Sequence, residues 1–224
     1  MRLGALLPAL ALALSACQQP AEASEKAVLA PAAKIASTES KGLKTAIFAG
    51  GCFWGVEGVF SHVRGVTSAV SGYHGGSGKT AEYDTVSGGR TGHAEAVKVT
   101  YDPKVVRYDQ LLRIFFSVAA DPTTLNYQGP DHGTQYRSAL VPLNPEQRRV
   151  AAAYLKQIDA AGLWDGPVVT AIEPYVRFYP AEAYHQDFMK AHPRHPYILR
   201  WDAPKVRALK KLFPKTYREQ FITG

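Results

Sequence analysis

Residues 44–65 read KTAIFAGGCFWGVEGVFSHVRG, and this stretch decides the fold. Residues 44–49 are a short β-branched and aromatic run that ends at Gly50-Gly51. Over residues 53–63, apolar side chains recur at helical spacing: Trp54, Val56, Val59, Phe60 and Val63. The pattern predicts a strand, a diglycine turn and a helix, with Cys52 at the first helical turn. Unpaired backbone N–H groups and the positive end of the helix dipole gather there. Both favour a thiolate, so the position predicts a reactive sulfur. A buried, inert cysteine fits the same residue type, because free cysteine is among the most buried. Phe53 and Trp54 beside it can form a small apolar pocket or simply pack into a core.

Downstream, residues 66–73 alternate and read as a second strand, followed by a glycine-rich polar loop over 74–92. A loop of that length in a compact domain commonly carries function. Residues 93–102 give a third strand, with Ala94, Ala96 and Lys98 on one face and Glu95, Val97 and Val99 on the other. A helix over 108–119, a polar loop over 121–134 and a strand over 135–141 complete a β-α-β-β-α-β series. Asn144-Pro145 opens a helix that Gly162 closes. A strand over 168–173 and helices over 181–191 and 202–212 follow. The expected fold is α+β, a two-layer sandwich with a split βαββαβ, ferredoxin-like core and added C-terminal helices.

Upstream, Arg2 precedes an apolar run over residues 3–14, too short to span a bilayer as a stable helix. It reads as a secretory signal peptide. The run ends in Leu14-Ser15-Ala16-Cys17, which resembles the lipobox of bacterial lipoproteins. That resemblance implies cleavage before Cys17 and acylation of that residue. Residues 18–43 are rich in Ala, Ser, Glu, Lys and Pro and lack apolar periodicity, as a disordered tether does. The expected organisation is a signal peptide (1–16), a lipid-anchored flexible tether (17–43) and one folded domain (44–224). The protein is then an exported, membrane-anchored lipoprotein of the bacterial envelope, facing the periplasm.

The 224 residues carry a formal net charge of +7, with 46% hydrophobic and 20% charged residues, as ordinary globular domains do. Lys and Arg are scattered except near the C-terminus (Lys205, Arg207, Lys210, Lys211, Lys215, Arg218). No recognition helix, zinc spacing or aromatic-basic interleaving accompanies them, so they read as a solvated helix face and no nucleic acid is expected. There are two cysteines, and with Cys17 acylated the domain holds a single thiol, Cys52. A lone thiol in an exported protein, where disulfides are the usual fate, is a nucleophile or a liability. Nicotinamide and flavin fingerprints are missing, and Gly75-Gly76-Ser77-Gly78-Lys79-Thr80 lacks phosphate-loop spacing. No bound cofactor or metal is expected.

Two polar stretches stand out. Glu95 lies in Gly92-His93-Ala94-Glu95-Ala96-Val97. A strand glutamate commonly faces solvent; pointing inward among apolar neighbours, it would hold a proton near neutral pH. Residues 131–138 (DHGTQYRS) are polar or small where a loop enters a strand, and a buried network of this kind must be satisfied. Tyr83, in the long loop, offers another hydroxyl.

Gly51-Cys52-Phe53-Trp54-Gly55, the stretch around Glu95 and residues 131–138 resemble, in order, the A-type peptide methionine sulfoxide reductases. Tyr73, in Ser71-Gly72-Tyr73, and Ala181-Glu182-Ala183-Tyr184-His185-Gln186 add to the similarity, which spans residues 44–190. It implies reduction of methionine S-sulfoxide, with Cys52 as nucleophile and Glu95 as proton donor. Tyr83 and Tyr136 would hold the sulfoxide oxygen, Asp131 would join the polar network, and Phe53 and Trp54 would cradle the S-methyl group. The product on the enzyme would be a Cys52 sulfenic acid. Many family members resolve it with C-terminal cysteines, but residues 197–224 contain none. An external thiol, from a thioredoxin-like partner or a small molecule, is therefore expected, with oxidised methionine as the other partner and a monomeric enzyme. Two further readings remain: an acyl-transferring hydrolase pairing Cys52 with a base such as His185, and a binding lipoprotein without activity.

Overall fold

The computed structural model describes residues 27–39 and 42–224. The chain runs β1 (Lys44–Gly50), α1 (Phe53–Ser61), β2 (Val66–His74), α2 (Tyr83–Ser87), β3 (Ala94–Tyr101) and α3 (Tyr108–Ile114). It continues through β4 (Tyr127–Gln128), β5 (Asp131–His132), β6 (Ser138–Val141) and α4 (Pro145–Ala161). β7 (Ala171–Ile172), β8 (Phe178–Pro180), α5 (Phe188–Ala191) and α6 (Ala203–Leu212) close it. The main sheet has the order β7-β6-β1-β3-β2-β8. Its four central strands pair antiparallel throughout. They stand in the order fourth-first-third-second, the split βαβ arrangement expected from the element series.

Strand alternation sorts the two faces. Ala46, Phe48, Val97, Val99 and Tyr101 turn toward the helices and join Phe60, Leu111, Leu112, Phe115 and Tyr154 in the main core. Ile47, Ala49, Ala94, Ala96, Ala139 and Val141 form a smaller cluster on the opposite face with Phe178. α4 is set locally as its sequence dictates. The Asn144 side chain accepts from the Gln147 N–H at 2.8 Å, Pro145 opens the helix, and Gly162 ends it in the left-handed region at φ 58°.

Several elements differ from expectation, each for a local reason. The helix expected over 108–119 is α only to Ile114 and continues as a π turn through Phe115–Ala119, which seats Phe115 against Phe48 and Phe60. The strand expected over 135–141 shortens to β6, because Thr134–Tyr136 coils into a 3-10 turn. The strand expected over 168–173 pairs only at Ala171 and Ile172. The helix expected over 181–191 breaks where Asp187 takes φ 53°, leaving a 3-10 turn (Ala183–His185) and α5. The long loop after β2 holds a 3-10 turn (Gly78–Thr80) and α2.

The tether expected over 17–43 is corrected in its second part. Residues 27–39 lie fixed along α3 and α4. The Val28 and Ala30 N–H groups donate to Ser117, Ser37 N–H donates to Asp109, and Tyr154 Oη donates to the Pro31 carbonyl. Ala30 is fully buried. This strap has no apolar period because it binds through its backbone, which composition does not encode. The signal peptide and Cys17 lie outside the described residues.

Candidate active site

β1 ends in a turn that only glycine can make. Gly51 sits at φ 82°, and a Cβ there would strike Gln128 Cβ at 2.5 Å. This close approach brings the β4–β5 hairpin, and with it Asp131, onto the start of α1. Gln128 fixes the hairpin by accepting from Asp121 N–H and donating to the Asp121 carbonyl and Thr124 Oγ1. Cys52 is the residue that caps α1, half-buried and in no disulfide among the described residues. One residue on, the Phe53 N–H donates to Glu95 Oε2 at 3.0 Å. Glu95 is 1% exposed, on the helix-covered face of β3. Burial pushes its carboxyl up to about 8, the Phe53 N–H pulls the other way, and Asp131 and Asp202 add to the rise.

The thiolate expected at Cys52 is not what its surroundings favour. Burial raises the thiol well above its ordinary value, and the negative charges of Asp202, Asp131 and, once it ionises above about 8, Glu95 raise it further, against a hydrogen bond from Trp54 N–H. A helix N-terminus stabilises an anion by about 0.3–2 kcal/mol, and here it is opposed by burial first and by three acidic side chains second. Desolvation wins. Without substrate, the site holds a thiol beside a protonated carboxyl.

Phenols complete the ring. Tyr83 opens α2, whose first N–H donates to Glu182 Oε1 at 2.8 Å, while Tyr73 Oη donates to Glu182 Oε2 at 2.8 Å. Tyr136 ends the 3-10 turn before β6. Burial, and then the charge of Glu95, raises the phenols of both Tyr83 and Tyr136. The two rings therefore stay protonated donors around Cys52.

The aromatic pair divides its work. Phe53 is buried against Tyr73 and His185, with centroids at 5.8 and 5.1 Å. Trp54 is partly exposed and stacks on Phe188 at 3.7 Å with planes 5° apart. Its Nε1–H donates to His185 Nδ1 at 3.1 Å. His185 is 1% exposed and burial lowers its pKa, so it is a neutral acceptor for the indole, a role that opposes the hydrolase reading.

Two residues at the site carried no sequence signal. Tyr197 donates its hydroxyl to Asp131 Oδ2 and lies edge-on to Trp54, with centroids at 5.9 Å. Asp202, 1% exposed, lies over Gly55 in the first turn of α1, where a Cβ would meet its Oδ1 at 2.3 Å. Asp202-Ala203-Pro204 reads as an ordinary helix start, and nothing in its spacing points back to Cys52. Of the residues named from sequence, Cys52 caps α1, Tyr83 lies in α2, Glu95 in β3, Asp131 in β5 and Tyr136 in the turn before β6; the charges of Glu95, Asp131 and Cys52 act on both phenols.

Fold and site together define a class: a split βαβ sandwich that carries a cysteine flanked by a buried carboxyl and phenols. Comparison with known proteins narrows it. Residues 44–217 match the family Peptide methionine sulfoxide reductase. A Mesorhizobium japonicum peptide methionine sulfoxide reductase, MsrA 2, is 58% identical over 179 residues, covering 80% of this chain and 92% of that one. A Synechocystis protein of the same name is 48% identical over 184 residues, 82% of this chain and 86% of that one. Among solved structures, methionine sulfoxide reductase A of Corynebacterium diphtheriae has a TM-score of 0.59 at 31% identity, covering 79% of this chain and 93% of that chain. The chain belongs to the peptide methionine sulfoxide reductase family and is an enzyme, a peptide-methionine (S)-S-oxide reductase.

Proposed function

We propose that Cys52 reduces methionine S-sulfoxide, peptide-bound and free, through a sulfenic acid that an external thiol resolves. The observation that carries this is Glu95: a buried carboxyl, pushed up to about 8, one hydrogen bond from the residue after the thiol. The sulfoxide oxygen enters between the hydroxyls of Tyr83 and Tyr136 and takes the Glu95 proton as the Cys52 sulfur attacks. The methionine S–O bond breaks and a Cys52 S–O bond forms. The sulfoxide sulfur gains two electrons and Cys52 loses two. The thiol proton restores Glu95, so acid and base balance over the cycle. Asp131, held by Tyr197, orders the polar side, and Trp54 with the Phe53 wall receives the S-methyl group.

The sulfenic acid then meets a thiol, releases water and forms a mixed disulfide, and a second thiol frees Cys52. The sequence contains only two cysteines, and residues 197–224 contain none, so a thioredoxin-like protein or a small thiol supplies both equivalents. Export and acylation at Cys17, read from residues 1–17, would direct this repair to oxidised envelope proteins.

A single turnover without reductant tests the mechanism. A chain beginning at residue 27 is mixed with each epimer of a methionine sulfoxide peptide. About one equivalent of methionine from the S epimer, with trappable sulfenic acid at Cys52 and neither in Cys52→Ser, is the expected result. Sulfoxide consumption by Cys52→Ser would overturn it.

A further inference from the structure

The C-terminal segment that supplies Tyr197 and Asp202 has a second side. Behind it lies a groove of about 350 Å³, away from Cys52 and within the size range of small-molecule sites. Its walls are Met189, Pro193, Ile198, Ala203, Val206 and Phe221. Each inner wall residue neighbours an active-site residue along the chain. Phe188 stacks on Trp54 and Met189 lines the groove; Tyr197 bonds Asp131 and Ile198 lines it; Asp202 covers Gly55 and Ala203 lines it. The segment is thus a partition with the thiol on one side and an apolar trough on the other.

The trough's edge is cationic. Lys190 and Arg207 line it, both exposed, and His62 completes the rim. Among the described residues neither Lys190 nor Arg207 is ion-paired. Residues 190–219 carry nine Lys and Arg against two carboxylates, Asp202, which is buried toward α1, and Glu219, which is paired with Lys210. Such a face selects a negative ligand. The backbone next to the walls is already paired: beside Lys190, Ile198 and Phe221, Ala191 N–H is bonded to the Asp187 carbonyl, Leu199 N–H to the His195 carbonyl and Ile222 N–H to the Ser61 carbonyl. An extended peptide would find few partners for its amides there, whereas an alkyl chain needs none.

We propose that this groove binds a single-chain anionic amphiphile, its alkyl chain along Pro193, Val206 and Phe221 and its head group between Lys190 and Arg207. The sequence contains only two methionines, Met1 and Met189, and the Met189 methyl packs between the groove wall and Gly58 of α1, so a methyl label on methionine reports a change in that wall. The test uses the full chain carrying Cys17→Ser and ¹³C-methyl methionine, titrated with dodecyl phosphate below its micelle concentration. The Met189 methyl signal should move saturably with dodecyl phosphate and stay still with inorganic phosphate. The surface changes Lys190→Glu and Arg207→Glu together should weaken binding about tenfold or more. An unmoved Met189 signal, an equal response to dodecylammonium, indifference to the charge reversals, or a response only to an acidic amphipathic peptide would each overturn the proposal.

Discussion

At the scale of single residues, the site works by withholding charge. Glu95 and Cys52 are both held in their protonated forms by burial. For Glu95 the acid is present below about 8 and disappears as pH rises through that value. Activity under single-turnover conditions should therefore fall on the alkaline side of about 8. Glu95→Gln should lower the rate about 10²–10⁴-fold and flatten that limb, as rapid-quench measurements across pH would read. An unchanged alkaline limb in the variant would assign the titration to another group. Glu95 is buried because it shares the helix-covered face of β3 with Val97 and Val99, and the strand's alternation alone left open which face that would be. The state of Cys52 did not follow from its position, because a helix start is local whereas Asp131 and Asp202 arrive from distant parts of the chain.

At the scale of elements, α1 is the hinge between sheet and C-terminal layer, and its small residues set the spacing. Gly55 faces the Asp202 carboxylate and Gly58 faces the end of Met189. Alanine gains about 1 kcal/mol over glycine in a helix interior. At Gly58 the flexible Met189 methyl can yield, so Gly58→Ala should leave stability nearly unchanged. At Gly55 the added Cβ meets a buried carboxylate at 2.3 Å; Gly55→Ala should lose about 1–3 kcal/mol in denaturant unfolding and displace Asp202. Glu57, on the same helix, is fully buried near Ser71 and Asp187, and burial raises it to about 8. A carboxyl raised on folding lends stability that is whole below its unfolded value and lost as pH climbs to its folded one. Glu57→Gln should match the wild type in thermal melts near pH 5 and exceed it by a few kcal/mol above about 8. The main helices and central strands were legible because period and caps are local properties. Short pieces such as β7, β8 and the Asp187 break were not, since pairing partners and backbone reversals far along the chain define them.

At the scale of the whole molecule, the strap of residues 27–39 belongs to the fold. It buries Ala30 and satisfies Asp109, Gln157 and the Tyr154 hydroxyl, while Glu39 receives hydrogen bonds from Tyr101 and Gln147. A chain starting at residue 40 should melt well below one starting at residue 27, because Tyr101 and Tyr154 lose the acceptors Glu39 and Pro31, about 0.5–1.5 kcal/mol each, and the site of Ala30 is uncovered. Equal melting temperatures would make the strap ornamental. Its fixed path also shortens any anchor. With Cys17 acylated as proposed, nine residues, 18–26, separate the lipid from the folded body. Fully extended, they reach at most about 30 Å. The enzyme would patrol a thin shell above a surface, and distance from that surface would decide which damaged proteins it meets.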